Sequence, residues 1–278
     1  MSVRPAINRT FHDVLTEAIR DISEHGYDDP ARLQEWLRRL RFAAMADLPT
    51  DAEMRNRMQV AMDAVFRRTL SKTGALRYHP GVPRFTIDRI TPSLRPELDK
   101  RVRASVDLIR LNRERAVEQM LQRFAGWTSS IPDGGSRAIE KPEVREDIAK
   151  SVRQLRYEER RVSIDQGHKL MSSINAVIAE QTQAIAMRWR SHWRRAGYDY
   201  REDHKERDGK IYVIRGSWAL QQGLITKCDG YLDEITQTAE EPFCQCYGVY
   251  INNLRDLPPE MLTEKGRRAL EETRIRRT

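Results

Sequence analysis

Cysteine is scarce: three residues in 278, two of them one position apart. That excludes a disulfide scaffold and leads one to expect a reduced, intracellular origin. Long apolar runs are also missing. None approaches the roughly 18 residues that a membrane-spanning helix needs, so no membrane span is expected. The opening MSVRPAINRT has no apolar h-region, and no secretory signal is expected there. Nucleotide and hydrolase signatures are absent too: there is no Walker or Rossmann glycine loop, no Gly-x-Ser-x-Gly and no His-Glu-x-x-His.

Charge is abundant, at 32% of residues, and apolar residues make up 39%. This mixture fits a globular chain rather than a disordered one. Lys and Arg outnumber Asp and Glu by 49 to 41, a net of +8. The excess is uneven. Residues 201–258 hold 7 basic and 10 acidic groups, a net of −3, which leaves +11 elsewhere. Such an excess permits contact with double-stranded DNA, without sequence preference, or with another acidic surface.

Helical spacing dominates the first 71 residues. Thr10 and Asp13 form a weak capping box before Phe11, Val14, Leu15, Ala18, Ile19 and Ile22, and Gly26 is a natural stop. Asp29 and Pro30 open a second helix, with Leu33, Trp36, Leu37, Leu40 and Ala44 as its stripe. Thr50 and Glu53 open a third. Trp36, Met54, Met58 and Met62 read either as the core of these helices or as an adaptable surface that docks a partner. Residues 72–95 carry Gly74, Pro80, Gly81, Pro83 and Pro92 and read as an extended connector, with a short strand at Phe85–Ile87.

Residues 96–197 read as a long helical pair. One helix carries Leu98, Val102, Val106, Ile109, Val117, Met120, Leu121 and Phe124. Gly126–Lys141 reads as a loop. The second helix is expected from about Glu143 to Arg195, with Ile185 and Trp189 closing its stripe and Gly167 as a weak point. Residues 198–258 change texture: they hold all three cysteines and the β-prone runs Lys210–Ile214 and Gly248–Ile251. Residues 259–278 read as a charged helical tail. The expected fold is mainly α: an elongated helical body with long antiparallel helices and a small α+β C-terminal module.

His204, Cys228, Cys244 and Cys246 together would make a tetrahedral structural zinc site. Zinc is the one cofactor the sequence suggests. The other readings are three reduced cysteines with one surface histidine, or a disulfide between Cys228 and Cys244 or Cys246. Glu202, Asp203, Glu206 and Asp208 around His204 suggest a metal-dependent nuclease centre as an alternative function, but they lie in one polar run that reads more simply as a solvated loop. Among the arginine groups, Arg188, Arg190, Arg194 and Arg195 are interleaved with Trp189 and Trp193, a composition suited to a nucleic-acid or protein contact.

The order of these features resembles the phage head-morphogenesis domain, the family of minor head proteins named after protein F of phage Mu. The residues that carry the likeness are Asn175 in the helical stretch Arg160–Ala179, Trp189 or Trp193, Asp199, Arg201, His204, Asp208-Gly209-Lys210, and Cys244-Gln245-Cys246. The likeness covers roughly residues 95–258. Gln245 departs from the family's Arg, and Asp165 stands where an Arg-Thr-Glu is usual. The resemblance implies a non-enzymatic virion component at the portal vertex or capsid interior, assembled in the host cytoplasm. Its implied partners are the portal protein, a major capsid or scaffolding protein, and packaged DNA.

Overall fold

The computed structural model describes residues 10–26, 29–132 and 142–275. The fold is mainly α, with long helices and one small antiparallel sheet near the C-terminus. Two compact units are interleaved along the chain. One combines residues up to 56 with 106–162; the other combines 57–105 with 163 onward. The bounds of these units differ from the segments expected at 1–71, 72–95, 96–197, 198–258 and 259–278.

The first unit is helical. Helices α1 (Phe11–His25) and α2 (Pro30–Ala46) start where their caps predict: Thr10 accepts from the Asp13 amide, and Asp29 from Ala31. Their stripes meet each other and Val117, Met120, Leu121, Phe124, Ile148 and Ala149 in one core. Trp36 is buried there, its indole Nε1 donating to Asp21 at 2.6 Å. Met54 is buried as well. These side chains are therefore core and not a docking surface, and Met62 is equally enclosed in the second unit. Arg113 is buried but fully engaged, donating to Glu159 at 2.7 Å and to the Pro49 carbonyl at 2.7 Å.

In the second unit the expected extended connector is helical. Helices α3 (Asp51–Thr69), α4 (Lys72–Tyr78) and α5 (Arg84–Ile90) are followed by a 3-10 turn at Thr91–Leu94. There is no strand at Phe85–Ile87. The prolines sit where helices tolerate them: Pro83 is the N-cap of α5 and Pro92 lies in the first turn of the 3-10 segment. Ser71 caps α4 by accepting from the Gly74 amide at 3.1 Å. Ile87, Ile90 and Leu94 then join Leu98, Val102, Leu170 and Ile174 in a second core.

Helix α6 (Arg95–Thr128) includes the first three residues of the loop expected at Gly126–Lys141; residues 133–141 of that loop lie outside the described residues. The single helix expected over Glu143–Arg195 is three elements. Helix α7 (Pro142–Arg153) ends at Gln154, and α8 (Leu155–Gln181) stops in a turn with Gln183 at φ +55°. Strand β1 (Ala186–Arg190) follows. Ile185 lies just before β1 and packs with Ala186, whereas Trp189 lies on the other face with Met187.

β1 is the central strand, flanked by β2 (Ile211–Val213) and β3 (Tyr247–Ile251), both antiparallel to it. The two β-prone runs are thus strands, and β1 is the one the sequence hid. One face of the sheet packs Ala186, Ile211, Val213 and Ile251 against Ala219, Leu224 and Leu262. The other face carries Met187, Trp189, Tyr212 and Tyr250 with Cys244 and Cys246. Gly248 lies opposite Trp189 and makes room for Met187, whose thioether occupies the space a Cβ would need. The tail forms a 3-10 turn at Pro259–Met261 and a helix over Glu264–Ile275.

Candidate metal centre

Three elements bring His204, Cys244 and Cys246 together. The short helix α9 (Glu202–Glu206) presents His204 inward. The loop entering β3 supplies both cysteines. β1 provides the floor: the Trp189 and His204 rings meet edge-on, 5.3 Å between centroids. All three ligand-type residues are buried. The imidazole Nδ1 is 3.5 Å from the Cys244 Sγ and 3.6 Å from the Cys246 Sγ, and the three atoms lie within 4.8 Å of one another. This His/Cys/Cys group could hold a metal ion, and it is the only such group among the described residues.

The loop carrying the cysteines is pinned. Ala239 and Phe243 have φ of +60° and +61°, left-handed backbone that side-chain-bearing residues adopt at a cost. The Phe243 amide donates to the buried Asp165 Oδ1 at 2.6 Å, and Lys169 holds the other Asp165 oxygen at 2.9 Å. Ser172, one helical turn on, donates to the Thr238 carbonyl at 2.6 Å. So α8 fixes the loop from outside the sheet. Arg201 adds an ion pair to Glu241 at 2.5 Å and a bond to the Pro242 carbonyl at 3.1 Å.

The electrostatics favour one thiolate. A hydrogen bond from Cys246 lowers the pKa of the Cys244 thiol, and the same bond pushes Cys246 upward, so the pair gives up its first proton more readily than its second. Three further buried polar atoms around the pair have no hydrogen-bond partner: Trp189 Nε1, Ser191 Oγ and His204 Nε2. The first two lie close enough to Cys246 to favour its thiolate, though outside hydrogen-bond geometry. His204 Nε2 faces Asp203 Oδ2 and Glu241 Oε1, each at 3.8 Å.

Cys228 is exposed, reduced and outside the group; the four-ligand set expected from the sequence does not assemble. A disulfide is likewise not formed, and His204 is buried rather than on the surface. Asn175 is buried away from the cysteines, its Oδ1 3.1 Å from His79 Nε2. His79 is stacked on Tyr250 at 5.2 Å, and burial lowers its pKa to about 4.

The Asp208-Gly209-Lys210 turn closes the β1–β2 connection. Asp208 accepts from the Ser191 amide at 3.0 Å and from Trp193 Nε1 at 3.1 Å. Gly209, at φ +87°, donates its amide to the Trp189 carbonyl at 2.9 Å, and the Lys210 carbonyl accepts from the Trp189 amide at 2.9 Å. Gln245 donates its amide to the Tyr198 hydroxyl and accepts from Arg195 at 2.8 Å. Asp199 is exposed.

Trp189 is core, so it offers no contact to a nucleic acid or partner. Arg188 and Arg190 are half-buried on β1. Trp193 is half-buried and flanked by Tyr200, Arg194 and Lys205, with Arg194 4.8 Å above its ring. Arg194 and Arg195 are exposed. The carboxylates near His204 do not converge: Glu202 pairs with Lys205, Asp203 with Arg207, and Asp208 with Ser191 and Trp193. No protein-family model matches the chain, nor does any curated protein or solved structure.

Proposed function

We propose that the chain is a minor head protein of a tailed bacteriophage, a structural component rather than an enzyme. It acts in head morphogenesis at the portal or the inner capsid wall, near packaged DNA. The observation that supports this reading is the convergence of the motif residues. His204, the Asp208-Gly209 turn and Cys244-Cys246 all build one small sheet module, and each does a structural task there. The same reading gives the module a zinc ion as its cofactor. Its partners are the portal protein and a major capsid or scaffolding protein. Double-stranded DNA is held without sequence preference, through exposed cations such as Arg194 and Arg195.

A mass-spectrometric inventory of assembled particles, combined with imaging of the vertex, tests the reading. The protein should be found in heads at a fixed copy number. Particles that assemble without it and carry none of it would end this assignment. The nuclease alternative predicts DNA cleavage that is lost in His204→Ala and Asp208→Asn. Asp208 is occupied by the Ser191 amide and the Trp193 indole, which argues against it.

A further inference from the structure

We propose that His204, Cys244 and Cys246 are the three protein ligands of a tetrahedral zinc ion, and that a water molecule fills the fourth position. This deepens the zinc reading above: it fixes the ligand set and leaves Cys228 out.

The two nitrogen–sulfur separations are those of a coordination shell. Zinc–sulfur bonds of about 2.3 Å and a zinc–nitrogen bond of about 2.0–2.1 Å, at a tetrahedral angle, place sulfur and nitrogen about 3.6 Å apart. The two Nδ1–Sγ distances are 3.5 and 3.6 Å. Without an ion only one thiol can donate to the imidazole, and the other is left the neighbouring sulfur, a weak acceptor. Nδ1 has one lone pair and cannot accept from two thiols at once. A zinc ion at the centre of the three atoms uses all of them.

Charge balance points the same way. Two thiolates and a neutral imidazole cancel the 2+ charge, as a buried site requires. Binding releases both thiol protons to solvent. Mixed sulfur and nitrogen donors in tetrahedral arrangement suit zinc better than the oxygen-seeking cations.

The surrounding groups form an outer shell. A ligating histidine ordinarily donates its other N–H to a carboxylate. His204 Nε2 is otherwise unpartnered and has Asp203 and Glu241 at 3.8 Å. The orphaned Trp189 Nε1 and Ser191 Oγ supply donors beside the Cys246 thiolate. Among the described residues no fourth ligand joins the group, and Glu241 is engaged by Arg201.

The test uses the reduced full-length chain, stripped of metal and titrated with cobalt(II). One equivalent should give thiolate charge-transfer bands and the ligand-field bands of tetrahedral cobalt, and zinc should displace it. X-ray absorption of the zinc form should then show two sulfurs and two lighter atoms. Cys228→Ser should bind with unchanged stoichiometry. Three sulfurs in the shell, loss of binding in Cys228→Ser, or no binding at one ion per chain would each overturn the proposal. None of these readouts requires a ligand variant to fold. Absence of the protein from particles would sink the head-protein reading and leave this site untouched.

Discussion

The two compact units solve burial differently. In the unit built from α1, α2 and part of α6, the core is apolar side chains at helical spacing. Arg113, a deeply buried cation among its described residues, has Glu159 and a carbonyl as partners. In the other unit lie all the buried side-chain polar atoms found without a partner among the described residues, including those of His79, Trp189, Ser191 and His204. It also holds the described non-glycine residues with left-handed backbone, Gln183, Ala239 and Phe243. Unsatisfied polar groups and strained backbone persist only where something repays them. The difference sets a unit whose described buried polar side chains are partnered beside one that also contains the candidate metal site.

Breaking the packed unit should have the largest effect. Phe124→Ala removes a fully buried ring and should cost about 3–5 kcal/mol in denaturant unfolding, with metal stoichiometry unchanged. Asp165→Ala, in the other unit, frees the Phe243 amide from its acceptor and should cost about 1–3 kcal/mol. It should also weaken zinc binding, because the cysteine loop loses its pin. An Asp165→Ala protein with wild-type zinc affinity would show that the loop is held without α8.

Acid provides a milder probe. His79 is held neutral by burial, with a folded pKa of about 4 against 6.5 unfolded. Its stabilising contribution is complete above pH 6.5 and is lost as pH falls from there toward 4. About 2 kcal/mol should have gone by pH 5, measured as unfolding free energy against pH. His168 and His192 shift in the same direction, mainly through burial, and add to the slope. His79→Gln should flatten much of it; an unchanged slope would assign the effect elsewhere. The smallest effect is expected at the exposed Arg38–Glu35 pair, where Arg38→Ala should leave the melting temperature where it is.

Helix starts were legible because caps are local: Thr10 with Asp13, Asp29 with Pro30. The prolines of residues 80–92 were misread because a proline at a helix start looks, in sequence, like one that breaks a helix. β1 was missed because the four-residue spacing of Ile185 and Trp189 continues the helical stripe of α8 in sequence, although the two side chains enter different cores. At the site, three of four expected ligands come together, since His204 and the Cys-x-Cys pair flank elements that must pack on one sheet. Cys228 could not be excluded by spacing alone. What the outer groups do was not legible: Trp189 and Asp165 stand in the likeness with no sign that they meet the cysteine loop, Ser191 and Glu241 belong to no motif, and the left-handed Phe243 carries no mark in its residue type.

Hydrogen exchange of the full chain, with and without one equivalent of zinc, tests most directly whether the second unit is organised around a metal. Zinc should slow exchange at residues 186–191, 202–211 and 239–251 while amides of α1 and α2 exchange as before. Equal exchange in the two states, or protection spread evenly over both units, would contradict it.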